Sequence, residues 1–152
     1  MTQTPKFDGG SDADRQSLLE VHREYLAANG VMDTSVLRKH WRDDIIGFNL
    51  NGHTYVGLEE WTKLWDYYRT QIVADEPWTS TDVSVIIRGD MAVITCHRNV
   101  KLRWFGSDPA GSFANRPVAS RSTEVFVRQN GDWKVAHVHF SPAGEGPRPG
   151  NF

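Results

Sequence analysis

The chain has 152 residues, of which 39% are hydrophobic and 24% charged, and its formal net charge is −2. This length and composition are typical of one globular domain with a sizeable core. The slightly negative charge excludes a broad basic field for nucleic acid. The single cysteine, Cys96, excludes an internal disulfide and favours a reducing, cytoplasmic location. No apolar run approaches the roughly 20 residues of a membrane span, and no signal peptide is expected.

Two helices are predicted near the start of the chain. Residues 1–10 are expected to be a flexible lead-in, after which Ser11 and Asp14 can cap a helix. Its apolar positions keep helical spacing as far as Asn29, and Gly30 stops it. A short second helix is predicted from Asp33, which can cap it.

A hairpin and a third helix follow. An Asn-Gly pair at positions 51–52 lies between apolar segments and predicts a tight turn between two strands. Gly57 ends the hairpin, and a helix is predicted from about Leu58 to Val73. One apolar stripe recurs along it at helical spacing, formed by Trp61, Leu64, Trp65, Tyr68 and Ile72.

The second half of the chain has the period-two pattern of strands. Long strands are predicted over residues 79–88 and 91–105, around a Gly89-Asp90 turn, and residues 106–117 are expected to be a loop. The segment 121–141 predicts a closing hairpin, because an Asn-Gly pair again lies between two alternating runs. We expect one domain over residues 11–142 and flexible tails at 1–10 and 143–152. Helices first and an antiparallel sheet last favour an α+β fold.

Three segments carry a resemblance to a known family. The first is the helix ending at Asn29-Gly30, followed by Trp41; the second is Tyr55-Val56-Gly57 before a helix; the third is the closing hairpin, with its Gly-x-Trp-x-Val and His-x-His motifs. The chain resembles the nuclear transport factor 2-like superfamily in its SnoaL-like branch, and is similar to the association (hub) domain of calcium/calmodulin-dependent kinase II. The resemblance implies a cone-shaped curved sheet wrapped around a long helix. It also implies a cavity at the open end and a homodimer or larger homo-oligomer.

The resemblance implies that aromatic side chains line the cavity and bind the substrate. Such a wall suits a small apolar or aromatic molecule. The candidate substrate-binding residues are Trp41, Phe48, Trp61, Trp65, Tyr68 and Phe140.

Three residues are candidates for catalysis. The hub positions that are basic fall on His97, Glu124 and Phe140, so the basic cluster of the hub is replaced. If His97 and Glu124 lie on neighbouring strands, the carboxylate could orient the histidine as an acid or base. Tyr25 could donate a phenolic hydrogen bond to a developing enolate. A structural His–Glu pair is the alternative interpretation.

His137 and His139 form the most conspicuous motif of the hairpin. Strand alternation places both on the face opposite Val138 and Phe140, so they are expected on the outer surface if Phe140 lines the cavity. A bulge would exchange the two faces. No metal or other cofactor is expected, because a third ligand would have to come from the opposite face. A Cys96 nucleophile is not expected, since Cys96 alternates away from His97.

Two functions are compatible with the sequence. The first is a cofactor-independent acid–base enzyme of the isomerase, lyase, dehydratase or cyclase type, with a small apolar or aromatic substrate in the cone. The second is a non-catalytic oligomeric hub or small-ligand-binding module. Neither requires nucleic acid or a membrane as a partner.

Overall fold

The computed structural model describes residues 3–74, 78–100, 102–106, 118–144 and 148–150. In chain order the elements are β1 (Lys6–Asp8), α1 (Asp12–Val31), α2 (Thr34–His40), β2 (Trp41–Phe48), β3 (Thr54–Val56), α3 (Leu58–Arg69), β4 (Ile72–Ala74), β5 (Thr79–Arg88), β6 (Met91–Val100), β7 (Leu102–Trp104), β8 (Val118–Gln129) and β9 (Asp132–Pro142). In these described ranges, no helix has the length and apolar character to cross a membrane.

The predicted α+β cone is confirmed. Seven of the described strands form one curved, open sheet in the order β1-β5-β6-β8-β9-β2-β3, and β4 pairs with β7. The helices pack against one face, which we call the inner face; the opposite face is the outer face. Two neighbour pairs, β1–β5 and β2–β9, run parallel, so the sheet is mixed rather than purely antiparallel as predicted.

The predicted helix starts are present. Ser11 and Asp14 form a capping box on α1, in which each side chain accepts a hydrogen bond from the backbone N–H of the other at 3.1 Å. The Asp33 carboxylate accepts hydrogen bonds from the backbone N–H groups of Ser35 and Val36 and caps α2. Local sequence therefore determines where these two helices begin.

The closing hairpin has the predicted turn. Asn130 and Gly131 both adopt positive φ, at 52° and 85°, which is the conformation that a type I′ turn requires. The antiparallel pairs β2–β3 and β5–β6 confirm the other two predicted hairpins.

Three boundaries differ from the prediction. Lys6–Asp8 forms a strand beside β5, so the lead-in is not flexible over these residues. The third helix ends at Arg69, and Ile72–Ala74 is a strand that pairs with Leu102–Trp104. The predicted long strand over 91–105 is accordingly two strands, β6 and β7. Of the predicted loop, positions 107–117 lie outside the described residues.

An aromatic cluster on the inner face joins α3 to the sheet. The indole of Trp61 stacks on the ring of Phe140 with the centroids 6.4 Å apart, and its six-membered ring lies over Gly47. A Cβ atom at Gly47 would stand 2.4 Å from a Trp61 ring carbon, so only glycine allows this close approach. The inner face of β2 is therefore shaped to receive α3.

Candidate functional site

A buried triad of charged side chains lies at the centre of the candidate site. Nε2 of His22 is 3.2 Å from Oε2 of Glu124, and Nη2 of Arg98 donates a hydrogen bond to Oε1 of the same carboxylate. The side chains of His22, Glu124 and Arg98 are 5%, 0% and 1% exposed. Water is therefore excluded from an arrangement of two cationic groups around one carboxylate.

The triad is assembled from α1 and two neighbouring strands. Leu18, His22, Tyr25 and Asn29 follow one another at three- and four-residue spacing and are all buried, so they form the face of α1 turned toward the sheet. Arg98 lies opposite Ser120 in the β6–β8 register, and its guanidinium extends back along the inner face to Glu124.

The inner residues of β6 and β8 are unusually polar at one end of the strands. Arg98, Ser120, Ser122 and Glu124 are all buried, whereas Phe126 continues the same face of β8 as an apolar residue. Buried polar side chains are costly unless they are paired. Their concentration in one part of the core distinguishes this end of the inner face from the aromatic cluster.

Electrostatic interactions determine the charge states of His22 and Glu124. Burial alone lowers the pKa of His22, but the Glu124 carboxylate and the contact with Cys96 outweigh burial and raise the pKa to about 9. Burial raises the pKa of Glu124, but Arg98 and His22 outweigh it and bring the pKa to about 2. Both groups are therefore ionised at neutral pH, and with Arg98 the triad carries a net charge of about +1.

Aromatic rings surround the guanidinium of Arg98. Its central carbon lies 4.9 Å from the ring centroid of Phe140, 5.6 Å from that of Tyr25 and 5.9 Å from that of Trp78. Such cation–π contacts stabilise a desolvated arginine. Among the described residues, Nε and Nη1 of Arg98 have no hydrogen-bond partner.

Cys96 and Ser122 complete the surroundings of the carboxylate. The Cys96 sulfur lies 3.2 Å from Oγ of Ser122, and that hydroxyl donates to Oε1 of Glu124 at 3.3 Å. One ligand-type atom from each of His22, Cys96 and Glu124 lies within 4.8 Å of the others, a spacing compatible with a metal ion. Nη2 of Arg98 already donates to this carboxylate, however, and a metal cation beside it would meet the positive charge of the guanidinium.

The structure brings together most of the predicted cavity residues. Tyr25, Trp41, Trp61, Trp65, Tyr68 and Phe140 are all buried on the inner face. Nε1 of Trp41 donates to the hydroxyl of Tyr25 at 3.4 Å, and Asn49 donates to the hydroxyl of Tyr68 at 2.6 Å. Burial raises the pKa of Tyr25, and it raises that of Tyr68 to about 12, so both phenols stay protonated.

The predicted pairing of His97 with Glu124 is wrong. His97 lies opposite Arg121 in the β6–β8 register, whereas Glu124 lies opposite Ile94. Side chains alternate along a strand, so His97 points to the outer face and Glu124 to the inner face. Nδ1 of His97 is instead 3.2 Å from Oδ2 of Asp82 on the outer surface.

Phe48 is also placed on the other side of the sheet. Its ring is 39% exposed on the outer face and makes edge contacts with His137 and His139, at centroid distances of 4.9 and 5.3 Å. The neighbouring Gly47 occupies the inner position beneath Trp61, so Phe48 cannot line the inner cluster. The expectation that His137 and His139 face outward while Phe140 faces inward is confirmed.

The sequence matches the model of one protein family over nearly all of this fold. The SnoaL-like domain matches residues 18–145. The chain belongs to the SnoaL-like family. No curated protein has a sequence that matches the chain.

Solved structures share the fold of this SnoaL-like chain. A proposed dehydratase of the NTF2-like family from Streptomyces avermitilis is 20% identical, with 88% of this chain and 98% of that chain covered and a TM-score of 0.70. A proposed ketosteroid isomerase from Shewanella frigidimarina is 20% identical over 80% of this chain and 92% of that one, with a TM-score of 0.61. A proposed calcium/calmodulin-dependent kinase II association domain from Exiguobacterium sibiricum is 14% identical over 91% and 100%, with a TM-score of 0.72. At these identities the likeness establishes the fold alone, and it confirms the resemblance to the hub fold.

Two members of the triad of this SnoaL-like chain, His22 and Arg98, were not among the site residues predicted from the sequence. A histidine within an otherwise apolar helical stripe and an arginine two residues from Cys96 on one strand were the available signals. Neither signal indicates a contact with Glu124 unless the register of β6 and β8 is known.

Proposed function

We propose that this protein is an acid–base enzyme of the lyase or isomerase type, in which His22 donates a proton to an oxygen atom of the substrate. The observation that supports this most is the closed triad of His22, Glu124 and Arg98 beside the ring of Tyr25. A pKa of about 9 keeps His22 protonated at neutral pH, so it is available as a general acid. The net positive charge favours a substrate that becomes negative during the reaction.

The triad contains both the proton donor and the proton acceptor that an elimination requires, so no cofactor is needed. As Nε2 of His22 gives its proton to a leaving hydroxyl, which departs as water, Oε2 of Glu124 accepts the proton from the adjacent carbon. The charge on His22 is one of the causes that lower the pKa of Glu124, so the carboxylate becomes more basic as that charge is lost. The separation of 3.2 Å between Nε2 and Oε2 then lets the proton pass back to His22 and restores the starting state.

The surrounding side chains favour a substrate with an apolar body and oxygen acceptors. The ring centroids of Trp65 and Trp78 are 6.0 Å apart, and Trp78 also contacts the guanidinium of Arg98. Within the described part of the chain, the indole N–H groups of both tryptophans and two nitrogens of Arg98 have no acceptor. These groups can only donate hydrogen bonds, so carbonyl or enolate oxygens match them.

The test is dehydration of a small aryl β-hydroxy ketone, 4-hydroxy-4-phenylbutan-2-one, followed by the absorbance of the conjugated enone. The His22→Gln variant is expected to lose roughly 100-fold or more in kcat/KM, because removal of a general acid typically has this effect. The exposed His53 in the β2–β3 turn offers a matched control, and His53→Gln should retain the wild-type rate. Circular dichroism should show that both variants remain folded.

Two results of this assay oppose the proposal. A wild-type protein that does not accelerate the dehydration rejects this substrate class. A His22→Gln variant that is folded and within about twofold of the wild-type rate rejects His22 as the acid.

A second candidate function, an oligomeric module, is favoured by the outer face. One register row across the sheet joins Ile86, Val93, Val125 and Ile46, with His137 between the last two. Ile46 and Ile86 are 40% and 45% exposed. We propose that two copies pack through this apolar row, since exposed apolar rows of this kind mark interaction surfaces.

The oligomeric state tests this second candidate. The wild-type chain should have the mass of a dimer or larger assembly by light scattering at micromolar concentration, and Ile86→Asp should shift it toward the monomer. A wild-type monomer at that concentration would exclude the oligomeric module as the function. Because the triad lies on the inner face, an active dimer would satisfy both candidates.

A further inference from the structure

The outer face carries a polar recess that the inner triad does not use. Its volume is about 350 Å³, and we call it the outer groove. The side chains that line it from the outer face include Asp82, His97, Arg121, Thr123, His139 and Ser141. The recess lies on strands β5, β6, β8 and β9, away from the helices.

The register of three strands brings its donors together. His97 lies opposite Arg121, and Arg121 lies opposite Ser141, so these three form one row across β6, β8 and β9. Thr123 lies opposite His139 in the neighbouring outward row. Guanidinium, imidazole and hydroxyl groups therefore converge from adjacent rows of one rigid sheet.

A β-bulge positions one member of the groove. The β5–β6 register shifts between Thr81 and Ser84, and Asp82 within this bulge adopts a φ of 53°. The left-handed conformation is unfavourable for most residues, and such positions are enriched at functional sites. The bulge directs Oδ2 of Asp82 to within 3.2 Å of Nδ1 of His97, which leaves Nε2 as the ring nitrogen available to a ligand.

Hydrogen-bond donors outnumber carboxylates in the lining of the outer groove. Asp82 is the one carboxylate in its lining, and it already contacts His97. Arg121 has no ion-pair partner among the residues that the structure describes, although it lies directly opposite His97. An oxyanion beside Arg121 would supply the missing counter-charge and accept hydrogen bonds from the guanidinium.

We propose that the outer groove is a binding site for a small organic oxyanion, with Arg121 and His139 as its nitrogen donors and Thr123 and Ser141 as hydroxyl donors. The guanidinium of Arg121 offers paired N–H groups that suit a phosphate or carboxylate. The recess is larger than a bare phosphate group requires, so it accommodates an organic substituent as well. This site is independent of the proposed inner-face chemistry.

Calorimetric titration of the full chain with phenyl phosphate, benzoate and inorganic phosphate tests the proposal. Phenyl phosphate is expected to bind most tightly, because it combines the larger charge with an organic body. Arg121→Gln should weaken its binding at least tenfold. Arg42→Gln, which removes an arginine paired with Asp44 on β2, is the matched control and should bind as the wild type does. Comparison of the three ligands distinguishes phosphate recognition from carboxylate recognition.

A further variant and two binding outcomes show whether the anion lies in the outer groove. His22→Gln should bind phenyl phosphate normally, because His22 lies on the inner face; loss of binding in this variant would place the anion in the inner site and overturn the proposal. Absence of binding by the wild type at millimolar phenyl phosphate would also overturn it. Equal affinities for wild type and a folded Arg121→Gln variant would show that the groove does not hold the anion.

Discussion

The two faces of the β6–β8 pair each carry a histidine beside a carboxylate at the same separation. On the inner face His22 and Glu124 are 3.2 Å apart, and on the outer face His97 and Asp82 are 3.2 Å apart. The side chains of the inner pair are 5% and 0% exposed, and those of the outer pair are 46% and 57% exposed. Water screens electrostatic interactions on the outer face, whereas the inner charges interact at low dielectric. Burial, rather than distance, therefore distinguishes the two pairs.

Arg98 adds a second difference between the faces. On the inner face its guanidinium supports the Glu124 carboxylate from the side opposite His22, and the aromatic rings shield it from water. On the outer face Arg121 stands beside His97 without a described carboxylate of its own. The inner carboxylate is therefore held by two buried cationic groups, whereas the outer arginine lies on an exposed face without a described counter-ion.

The largest expected effect comes from removing the arginine of the inner face. Arg98→Met should lower the free energy of unfolding by about 3–5 kcal/mol, because loss of one partner weakens the compensation of a buried charge. Urea unfolding measures the change. Arg88→Met is the control, since Arg88 pairs with Asp8 on the surface and its loss should cost about 0–1 kcal/mol. Equal losses in the two variants would mean that burial does not distinguish the pairs.

The next effect concerns the protonation of His22. In Glu124→Gln the carboxylate that raises the pKa of His22 is gone, while burial and Arg98 still lower it and only the contact with Cys96 still raises it. The pKa of His22 should therefore fall well below about 9. A titration followed by NMR of the histidine rings measures it. A value that stays at about 9 in this variant would show that Glu124 is not the main cause.

Stability should depend on pH through the same pair. The folded-state pKa of His22 is raised, so its contribution is fully present below about 6.5 and is lost as the pH rises through about 9. The pKa of Glu124 is depressed from 4.5, so its contribution is present above 4.5 and is lost as the pH falls toward about 2. The difference in unfolding free energy between wild type and His22→Gln should be on the order of 2–3 kcal/mol larger at pH 6 than at pH 10. No change in that difference would contradict the assigned pKa values.

The smallest effect is expected on the outer face. In Asp82→Asn the side chain keeps its size, and asparagine also tolerates the positive φ at this position. The substitution removes only the exposed carboxylate charge beside His97. The free energy of unfolding should change by about 1 kcal/mol or less. A loss as large as that of Arg98→Met would show that the outer pair stabilises the fold as strongly as the inner triad.

Much of the fold could be predicted because its signals are local. The capping box of Ser11 and Asp14 and the turn at Asn130-Gly131 depend on residues that are adjacent in sequence. The short strands Ile72–Ala74 and Leu102–Trp104 were missed because they stabilise each other across a long sequence separation. Tertiary pairing outweighed the helical pattern that runs into Ile72.

The site was predicted less well because it depends on the register between strands and on the sheet face that each side chain occupies. Glu124, Tyr25 and the aromatic residues were predicted through the resemblance to the hub domain. His97 was predicted as the partner of Glu124, but the adjacent Arg98 reaches the carboxylate instead, because positions one apart on a strand face opposite sides. The β6–β8 register, which places Glu124 opposite Ile94, arises from a connection between distant segments and is not visible in local sequence. The bulge at Asp82 is likewise a property of the assembled sheet.

The most direct test of the account is the pKa of His22 in the wild-type protein, measured by NMR with the ring signal assigned through the His22→Gln variant. We expect a value of about 9, so that the buried imidazole carries its proton at neutral pH beside Glu124 and Arg98. A value at or below 6.5 would mean that burial outweighs the carboxylate. His22 would then be neutral at pH 7, and the proposed proton donor would be absent.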